Sequence, residues 1–269
     1  MRNAWLILAH NEFVVLQQLI SELDTPDSDI YVHIDKKVKQ IPHFKEPTHG
    51  RLFILEKRID ARWGDVSLAE SELLLLGTAL RNGPYAHYHI LSGTHLPLKP
   101  REELIQFYDS HDGQEIMRFW ETDEGDADFK LRRYHFPIRN YKSSHPGIRS
   151  VTQTLWSAVI FFQKKLRIRH LESDRFYKTD QWVSLTEKAA SYLVKNKDAI
   201  LRKYKWSFCC DEYFIASELK ASSGDFHFYD CPNLLFVEFV TDNPKSFPLS
   251  ALPEIRQKDY YWARKFTSH

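Results

Sequence analysis

Several features that would assign a function at once are scarce or absent in this chain of 269 residues. It has three cysteines, Cys209, Cys210 and Cys231, without a CxxC spacing, which favours a reducing cytoplasm over a secretory route. There is no HExxH motif, no cysteine–histidine pairing at zinc spacing and no glycine-rich phosphate loop. Zinc sites and phosphate loops of the usual types are therefore excluded.

Charge of either sign is not in excess, because 37 Lys and Arg residues stand against 36 Asp and Glu residues. This balance argues against a surface that binds nucleic acid. The apolar run at residues 4–9 is too short for a membrane anchor and lacks a cleavage signal, so it predicts a first β-strand. With 43% hydrophobic residues, the chain can fill the core of a large α/β domain.

Strand and helix patterns alternate along the chain. Apolar runs predict strands at 4–9, 29–35, 52–55, 87–91, 181–185, 226–229 and 234–240. Helical spacing predicts helices at 14–23, 67–80 and 101–108, and another that begins at a Thr186 cap. This alternation indicates one α/β domain with a largely parallel sheet. Ligands of such sheets bind beyond the carboxyl ends of the strands, where His10, Asp35 and residues 92–95 fall.

Acidic residues are missing altogether from residues 129–171, which contain ten Lys and Arg residues. An apolar stretch at 155–162 precedes the basic cluster at 164–169 and predicts a helix with a basic end, too short to span a bilayer. Two interpretations stay open. The favoured one is a core helix with a solvated tip, and the other is peripheral membrane contact through residues 150–171 on anionic lipid.

Two short acidic motifs are candidates for chemistry. In FCCDEYFIASEL, residues 208–219, Asp211 is predicted to cap a helix and Glu212 to lie in its first turn. Taken alone, this segment is better explained by a cap and a dipole-stabilising acid than by catalysis. The DxD motif of Asp126 and Asp128 lies in an acidic loop without a preceding apolar strand, so we predict no metal role for it.

Seven segments in order carry a family resemblance: LILAHN, VHIDKK, RWGDVSLAESELLLL, HILSGTHLPLKP, QWVSLTEKAASYL, CDEYFIASEL and ARKF. Together they resemble the core-2/I-branching β-1,6-N-acetylglucosaminyltransferases and the related peptide O-xylosyltransferases over nearly the whole chain. The resemblance implies a GT-A-type nucleotide-sugar fold, Rossmann-like and mostly parallel, in a single domain. Residues 1–120 would form its nucleotide-sugar-binding half, and residues 121–269 its acceptor-binding and catalytic half.

The same resemblance implies residue roles in an inverting transfer from a UDP-sugar without a divalent metal or other cofactor. Glu212 matches the catalytic base, and a helix N-terminus beside it would favour its charged state. The implied donor-binding residues, whose cations would meet the charge on the departing UDP, are His10, Asp35, Lys245, Arg264 and Lys265. The implied acceptor-binding residues are Glu121, Lys130 and Arg133.

The chain departs from the family pattern at His95, where relatives carry an acid, and this leaves the donor sugar open. It also lacks the membrane stem of Golgi relatives, so we expect a cytoplasmic protein, with a peripheral position at the inner face of the cell membrane as a further expectation. The predicted function is transfer of a sugar, GlcNAc before others, to a 6-hydroxyl of a glycan or lipid-linked saccharide. The alternatives are UDP-galactose, UDP-xylose or UDP-glucuronate as donor, or a non-catalytic carbohydrate- or lipid-binding module.

Overall fold

The computed structural model describes residues 2–241 and 243–269. Its strands are β1 (Asn3–Ala9), β2 (Ser28–Ile34), β3 (Arg51–Ile54), β4 (His87–Ser92), β5 (Leu96–Pro97), β6 (Gln114–Met117), β7 (Ser184–Leu185), β8 (His227–Asp230), β9 (Leu235–Phe236), β10 (Phe239–Val240), β11 (Asn243–Pro244), β12 (Phe247–Pro248), β13 (Trp262–Ala263) and β14 (Phe266–Thr267). Its α-helices are α1 (Phe13–Glu22), α2 (Ser67–Ala79), α3 (Arg101–Ser110), α4 (Glu124–Leu131), α5 (Pro146–Leu166), α6 (Glu187–Lys195), α7 (Lys197–Lys203), α8 (Phe214–Ala221) and α9 (Leu252–Ile255).

Seven strands form the central sheet in the order β3-β2-β1-β4-β7-β6-β8. The pairs β3–β2, β2–β1, β1–β4 and β6–β8 are parallel, whereas β7 is antiparallel to both of its neighbours. All strands of this sheet except β7 therefore run in one direction. The predicted GT-A-type α/β fold with a mostly parallel sheet is confirmed.

The apolar runs of the first strands are buried along their whole length, as expected for a parallel sheet covered by helices on both faces. On α1, the buried residues are Val15, Leu16, Leu19 and Ile20, at the spacing of one helical face. The predicted cap of α6 is confirmed, because the Thr186 side chain accepts a hydrogen bond from the backbone N–H of Ala189. This framework holds the carboxyl ends of β1, β2 and β4 side by side.

The region around the DxD motif differs from the sequence prediction. Residues expected to form an acidic loop begin α4, and Asp123 caps this helix by accepting from the backbone N–H of Gly125 at 2.8 Å. The prediction was wrong because a cap followed by acidic first-turn residues has the composition of a loop, although it is a favourable helix start.

The C-terminal residues return to the body of the protein. Strand β13 lies between β5 and β9, and β14 pairs with β12. Trp262, Ala263 and Phe266 are fully or almost fully buried. Their burial fixes Arg264 and Lys265, which lie between β13 and β14, against the carboxyl edge of the central sheet.

Helix α5 is the longest helix of the described residues, with 21 residues. Its buried positions are Thr152, Ile160 and Gln163, whereas Val151, Leu155 and Phe162 are more than half exposed. The favoured interpretation of a core helix is therefore wrong, because most of the apolar side chains face outward. Within residues 2–241 and 243–269, no helix is long and apolar enough to cross a membrane.

Candidate active site

The carboxyl ends of β1, β2 and β4 and the C-terminal strands meet at one edge of the sheet. The backbone N–H of Asp35 donates to the carbonyl of Ala9 at 2.8 Å, which places the end of β2 beside the end of β1. The backbone N–H of Phe266 donates to the carbonyl of Thr94 at 3.0 Å, just after β4. Lys265 is thereby held across the opening where a ligand of such a sheet binds.

Asp35 is buried and its carboxylate is held in a fixed orientation. Its Oδ1 accepts from the backbone N–H of Lys37 at 2.7 Å, and its Oδ2 accepts from Lys37 Nζ at 2.7 Å. Lys37 Nζ also contacts Asp60 Oδ1 at 3.0 Å. The predicted uridine-side acid is thus held rigidly at the expected edge of the sheet.

His10, Lys265 and Arg264 form a cluster of basic groups at this edge. Partial burial and the charge of Lys265 lower the pKa of His10, although Asp35 acts in the opposite direction. Burial and the charge of Arg264 likewise lower the pKa of Lys265. Burial is the larger cause of both shifts, and the mutual repulsion of these basic groups adds to it, so a bound anion would relieve that repulsion.

Arg264 connects this cluster with the acidic segment at Glu212. Burial lowers the pKa of Arg264 to about 10, and the charges of Asp180, Asp211 and Glu212 partly offset this effect. Its Nε is buried and has no acceptor among the described residues. The guanidinium carbon lies 4.8 Å from the centre of the Trp182 ring. An unused buried donor beside an anion-attracting cluster fits a ligand with phosphate oxygens.

Glu212 ends a short 3₁₀ turn, Cys210–Glu212, and lies two residues before Phe214, where α8 begins. Its backbone carbonyl accepts from the N–H of Thr179 at 2.8 Å. Its Oε2 accepts from Lys130 Nζ at 3.0 Å, and the side chain is 36% exposed. No group among the described residues hydrogen-bonds Oε1. One carboxylate oxygen is therefore anchored and the other is open to solvent.

A network of charges supports Lys130 beside this carboxylate. Asp126 Oδ2 accepts from Tyr213 OH at 2.6 Å and from Lys178 Nζ at 2.8 Å, and lies 3.3 Å from Lys130 Nζ. Burial alone would lower the pKa of Lys130, but the charges of Glu212 and Asp126 raise it. Lys130 therefore stays charged and pairs with both Glu212 and Asp126.

The DxD motif does not present two acids to one ligand. Asp128 pairs with Arg133 and Arg169, with both contacts at 2.8 Å, and not with the partners of Asp126. Both acids lie in α4, where residues two apart point to different sides. In the part of the chain that the structure describes, no group of three or more His, Cys, Asp or Glu side chains is arranged to hold a metal ion.

Asp211 does not cap a helix, so that prediction is wrong. Tyr213 is the residue that precedes α8, and it makes no side-chain cap. The intervening 3₁₀ turn rotates Asp211 into the interior, where its Oδ1 has no hydrogen-bond partner among the described residues. Burial and the charge of Glu212 raise the pKa of Asp211 to about 7. Buried Glu72 is close enough for Asp211 to raise the pKa of its carboxyl as well.

The predicted acceptor residues separate into two groups. Glu121 is exposed and follows Trp120, whose backbone N–H donates to the carbonyl of Lys178, one residue before the contact of Thr179 with Glu212. Lys130 contacts Glu212 directly.

Arg133 has a structural position instead. Its guanidinium is buried and donates to Asp128 Oδ2 at 2.8 Å and to the carbonyl of Ile168 at 2.9 Å. These bonds tie α4 to the chain after α5. The structure speaks against acceptor binding by Arg133, because a sugar could reach the guanidinium only by displacing buried partners.

Lys245 is the predicted donor residue that the structure supports least. Its Nζ pairs with Glu238 Oε2 at 2.7 Å, and both side chains are exposed. The backbone N–H of Phe247, two residues further on, donates to the carbonyl of Lys265 at 2.8 Å. Lys245 thus lies near the C-terminal strands, but its ammonium group is engaged in a surface ion pair with Glu238. Its role in donor binding stays a prediction.

A cavity of about 700 Å³ lies away from this site. Asn3, Ser28 and Arg101 are among the residues that line it, so it opens at the amino ends of β1 and β2 and the start of α3. Acids and bases both line it, including Glu22 and Arg256, which pair with each other. We assign the chemistry to the opposite edge, where Glu212 and the basic cluster lie.

The comparison with known families agrees with this geometry. The sequence model of the Branch family, described as Core-2/I-Branching enzyme, matches residues 4–228, which makes the protein a glycosyltransferase. The chain belongs to the Core-2/I-branching enzyme family. No curated protein sequence matches it. Among solved structures, the apo crystal structure of mouse xyloside xylosyltransferase 1 is similar at 8% identity over 97% of both chains, with a TM-score of 0.36 that carries no argument.

Four residues that support the candidate site were not predicted in these roles. Trp182 supports Arg264, Asp126 and Lys178 support Lys130, and Lys37 orients Asp35. Lys37 could have been found, because it lies two residues after Asp35 at the end of a strand. The contact of Asp126 with Lys178 joins positions 52 residues apart and has no local sequence signal.

Proposed function

We propose that this protein is an inverting, metal-independent glycosyltransferase that moves a sugar, GlcNAc before others, from a UDP-sugar to a 6-hydroxyl of a glycan or lipid-linked saccharide. It would act in polysaccharide or glycan biosynthesis. The observation that carries the proposal is the Glu212 carboxylate, with Oε2 anchored by Lys130 at 3.0 Å and Oε1 open, close enough to Arg264 for their charges to interact.

In the proposed reaction, the open Oε1 of Glu212 accepts the proton of the acceptor hydroxyl. The hydroxyl oxygen attacks the anomeric carbon as the bond from that carbon to the UDP oxygen breaks on the opposite face, so the configuration inverts. Glu212 ends protonated and UDP leaves with the bonding electron pair. A positioned carboxylate of this kind contributes a factor of about 10² to 10⁴ to the rate.

The negative charge that develops on UDP needs a cation in place. We assign this task to Arg264 and Lys265, because both lie in the cluster of basic groups at this edge and Arg264 Nε is a buried donor without an acceptor in the described chain. Asp35 and His10 lie at the same edge and are suited to the uridine side. In this proposal the DxD acids hold Lys130, Lys178, Arg133 and Arg169 and take no part in donor binding.

UDP release measured with each of UDP-GlcNAc, UDP-galactose, UDP-xylose and UDP-glucuronate tests the donor. His95, which stands where relatives carry an acid, is buried and hydrogen-bonded to Ser92 Oγ at 2.7 Å, so its ring is fixed just after the end of β4. We expect turnover with UDP-GlcNAc to be highest and to persist in EDTA. A strict requirement for Mn²⁺ would contradict the proposed role of Arg264 and Lys265.

The stereochemistry is tested by the proton NMR spectrum of the first product formed. A β-linked product from an α-linked UDP-sugar agrees with inversion, whereas an α-linked product would contradict a single displacement assisted by Glu212. The cytoplasmic location and the peripheral position at the inner face of the membrane belong to the proposal as well.

A further inference from the structure

An uninterrupted apolar stripe runs along the exposed side of α5. Its members are Ile148, Val151, Leu155, Ala158, Phe162 and Leu166. At about 100° per residue, these six positions fall within an arc of about 80° and extend over about 27 Å of helix. The five large side chains are between 48% and 64% exposed. A stripe of this length and regularity is typical of a helix that packs against something outside its own domain.

Basic residues without an ion pair lie near the two ends of this helix. Arg149, Lys164, Lys165 and Arg167 are exposed and form no ion pair within residues 2–241 and 243–269. On the helical wheel, Lys165 lies about 20° from the edge of the stripe. No Asp or Glu occurs between residues 129 and 171. The exposed face of α5 therefore combines apolar side chains with cations and has no carboxylate of its own.

This combination identifies the partner by its chemistry. We infer that α5 lies in the headgroup region of an anionic lipid bilayer, with its apolar stripe in the acyl boundary and its basic residues against lipid phosphates. A second copy of this chain would bring the same cations against one another without an acid in the segment to neutralise them. An anionic bilayer satisfies the stripe and the cations together.

The position of α5 relative to the candidate active site links this surface to the acceptor. Trp156 packs against Phe129 at 5.8 Å and against Phe208 at 6.1 Å between ring centres. Phe129 precedes Lys130, and Phe208 begins the segment that carries Glu212. Docking of α5 would hold the Glu212 side of the protein one packing layer from the lipid surface. This link to the acceptor rests on the proposed function, because a lipid-linked saccharide is available at that surface.

The test is flotation of the full-length protein with phosphatidylcholine vesicles that contain or lack phosphatidylglycerol. We expect binding to the anionic vesicles only, and a decrease in binding as salt rises. Replacing Arg149, Lys165 and Arg167 together by Gln should weaken binding on the order of a hundredfold, as expected for three cations near an anionic surface.

A matched pair of variants tests the stripe itself. Val151→Glu should lower vesicle binding by about tenfold or more, because it places a charge in the acyl boundary. Val14→Glu is the control, because Val14 is 62% exposed and Val151 61% exposed, and both lie in helices. Equal binding of the two variants, or salt-independent binding, would overturn the inference.

Two further readouts separate this inference from the proposed function. UDP affinity, measured by calorimetry without lipid, should be the same for wild type and Val151→Glu, which also shows that the variant is folded. If the protein fails to bind vesicles but still turns over the UDP-sugar, the inferred docking surface is wrong and the proposed enzymatic function stands. If sedimentation shows a dimer that Val151→Glu separates, the stripe is an interface between copies and the lipid inference is wrong.

Discussion

Asp211 and Glu212 are neighbours in the chain, but the 3₁₀ turn places them in opposite surroundings. Glu212 reaches the surface, where Lys130 neutralises one of its oxygens. Asp211 points inward beside Glu72, without a hydrogen-bond donor for Oδ1 in the described chain. The carboxyl of Asp211 is thus costly to ionise because it is buried, whereas the neighbouring carboxylate of Glu212 is available as a base. At the scale of single residues, this division is the basis of the proposed chemistry.

Replacement of Asp211 by Asn should alter the dependence of stability on pH. Since burial raises the pKa of Asp211 to about 7, well above the ordinary value of an aspartic acid, the carboxyl ionises at lower pH in the unfolded chain than in the folded protein. Its contribution favours the folded state at low pH and is lost as pH rises from about 4 to about 7. Over this range, the free energy of unfolding of Asp211→Asn should therefore decrease less than that of wild type, by roughly a few kcal/mol.

Urea unfolding of both proteins at several pH values measures this difference. Glu115 also has a pKa raised by burial, but it is present in both proteins and cancels in the comparison. Asp211→Asn also removes the charge that helps to raise the pKa of Glu72, so the measured difference includes this effect. Parallel curves of unfolding free energy against pH would contradict the buried position assigned to Asp211.

Replacement of Lys130 by Met removes the cation that Glu212 and Asp126 share. Glu212 would then lose its anchor, and Asp126 would keep Lys178 as its cationic partner. We expect kcat to fall by a factor of about 10 to 100, with UDP affinity little changed. Lys188→Met is the control, because Lys188 is exposed and its Nζ donates to the carbonyl of Asp225. Equal effects of the two substitutions would show that Lys130 has no special role.

Among the structural elements, those with strong local signals were predicted well. The buried runs of β1, β2 and β4 and the Thr186 cap of α6 agree with the sequence prediction within a few residues. These patterns are local, because a continuous apolar run or a capping hydroxyl depends on neighbours in the sequence. The largely parallel sheet followed from their alternation.

Elements whose position depends on distant contacts were predicted poorly. The C-terminal strands β13 and β14 each contain two residues and exist because β5, β9 and β12 pair with them. The exposed stripe of α5 has the same composition as a buried one, so sequence cannot tell which side is covered. The family resemblance implied an acceptor role for Arg133. The contacts that bury its guanidinium, with Asp128 and the chain after α5, have no signal in the neighbouring sequence.

The C-terminal element is expected to carry much of the UDP affinity. Lys265 is held across the carboxyl end of β4 by the hydrogen bond from the N–H of Phe266 to Thr94. Lys265→Ala should weaken UDP binding by about tenfold, because it removes one cation from a partly buried anion site. Lys258→Ala is the control, since Lys258 is exposed in the same part of the chain. Calorimetry with UDP that gives equal affinities for both variants would contradict this placement.

For the whole molecule, the candidate site is the meeting point of three parts of the chain that are far apart in sequence. The strand ends supply His10 and Asp35, the segment before α8 supplies Glu212, and the C-terminal strands supply Arg264 and Lys265. Sequence patterns predicted His10 and Asp35 at the edge of the sheet and Glu212 in the first turn of a helix, whereas only the family resemblance implied a role for Arg264 and Lys265. The sequence alone did not predict that these parts converge, or that α4 supports Glu212 through Lys130, because both depend on contacts between residues far apart in the chain.

The central claim is that Glu212 is the general base of a UDP-sugar transfer. The most direct measurement is UDP release from UDP-GlcNAc by wild type and Glu212→Gln, with the affinity of both proteins for UDP measured in parallel. The account predicts that kcat falls on the order of a hundredfold or more while UDP affinity stays the same. Undiminished turnover by the Glu212→Gln protein would contradict it.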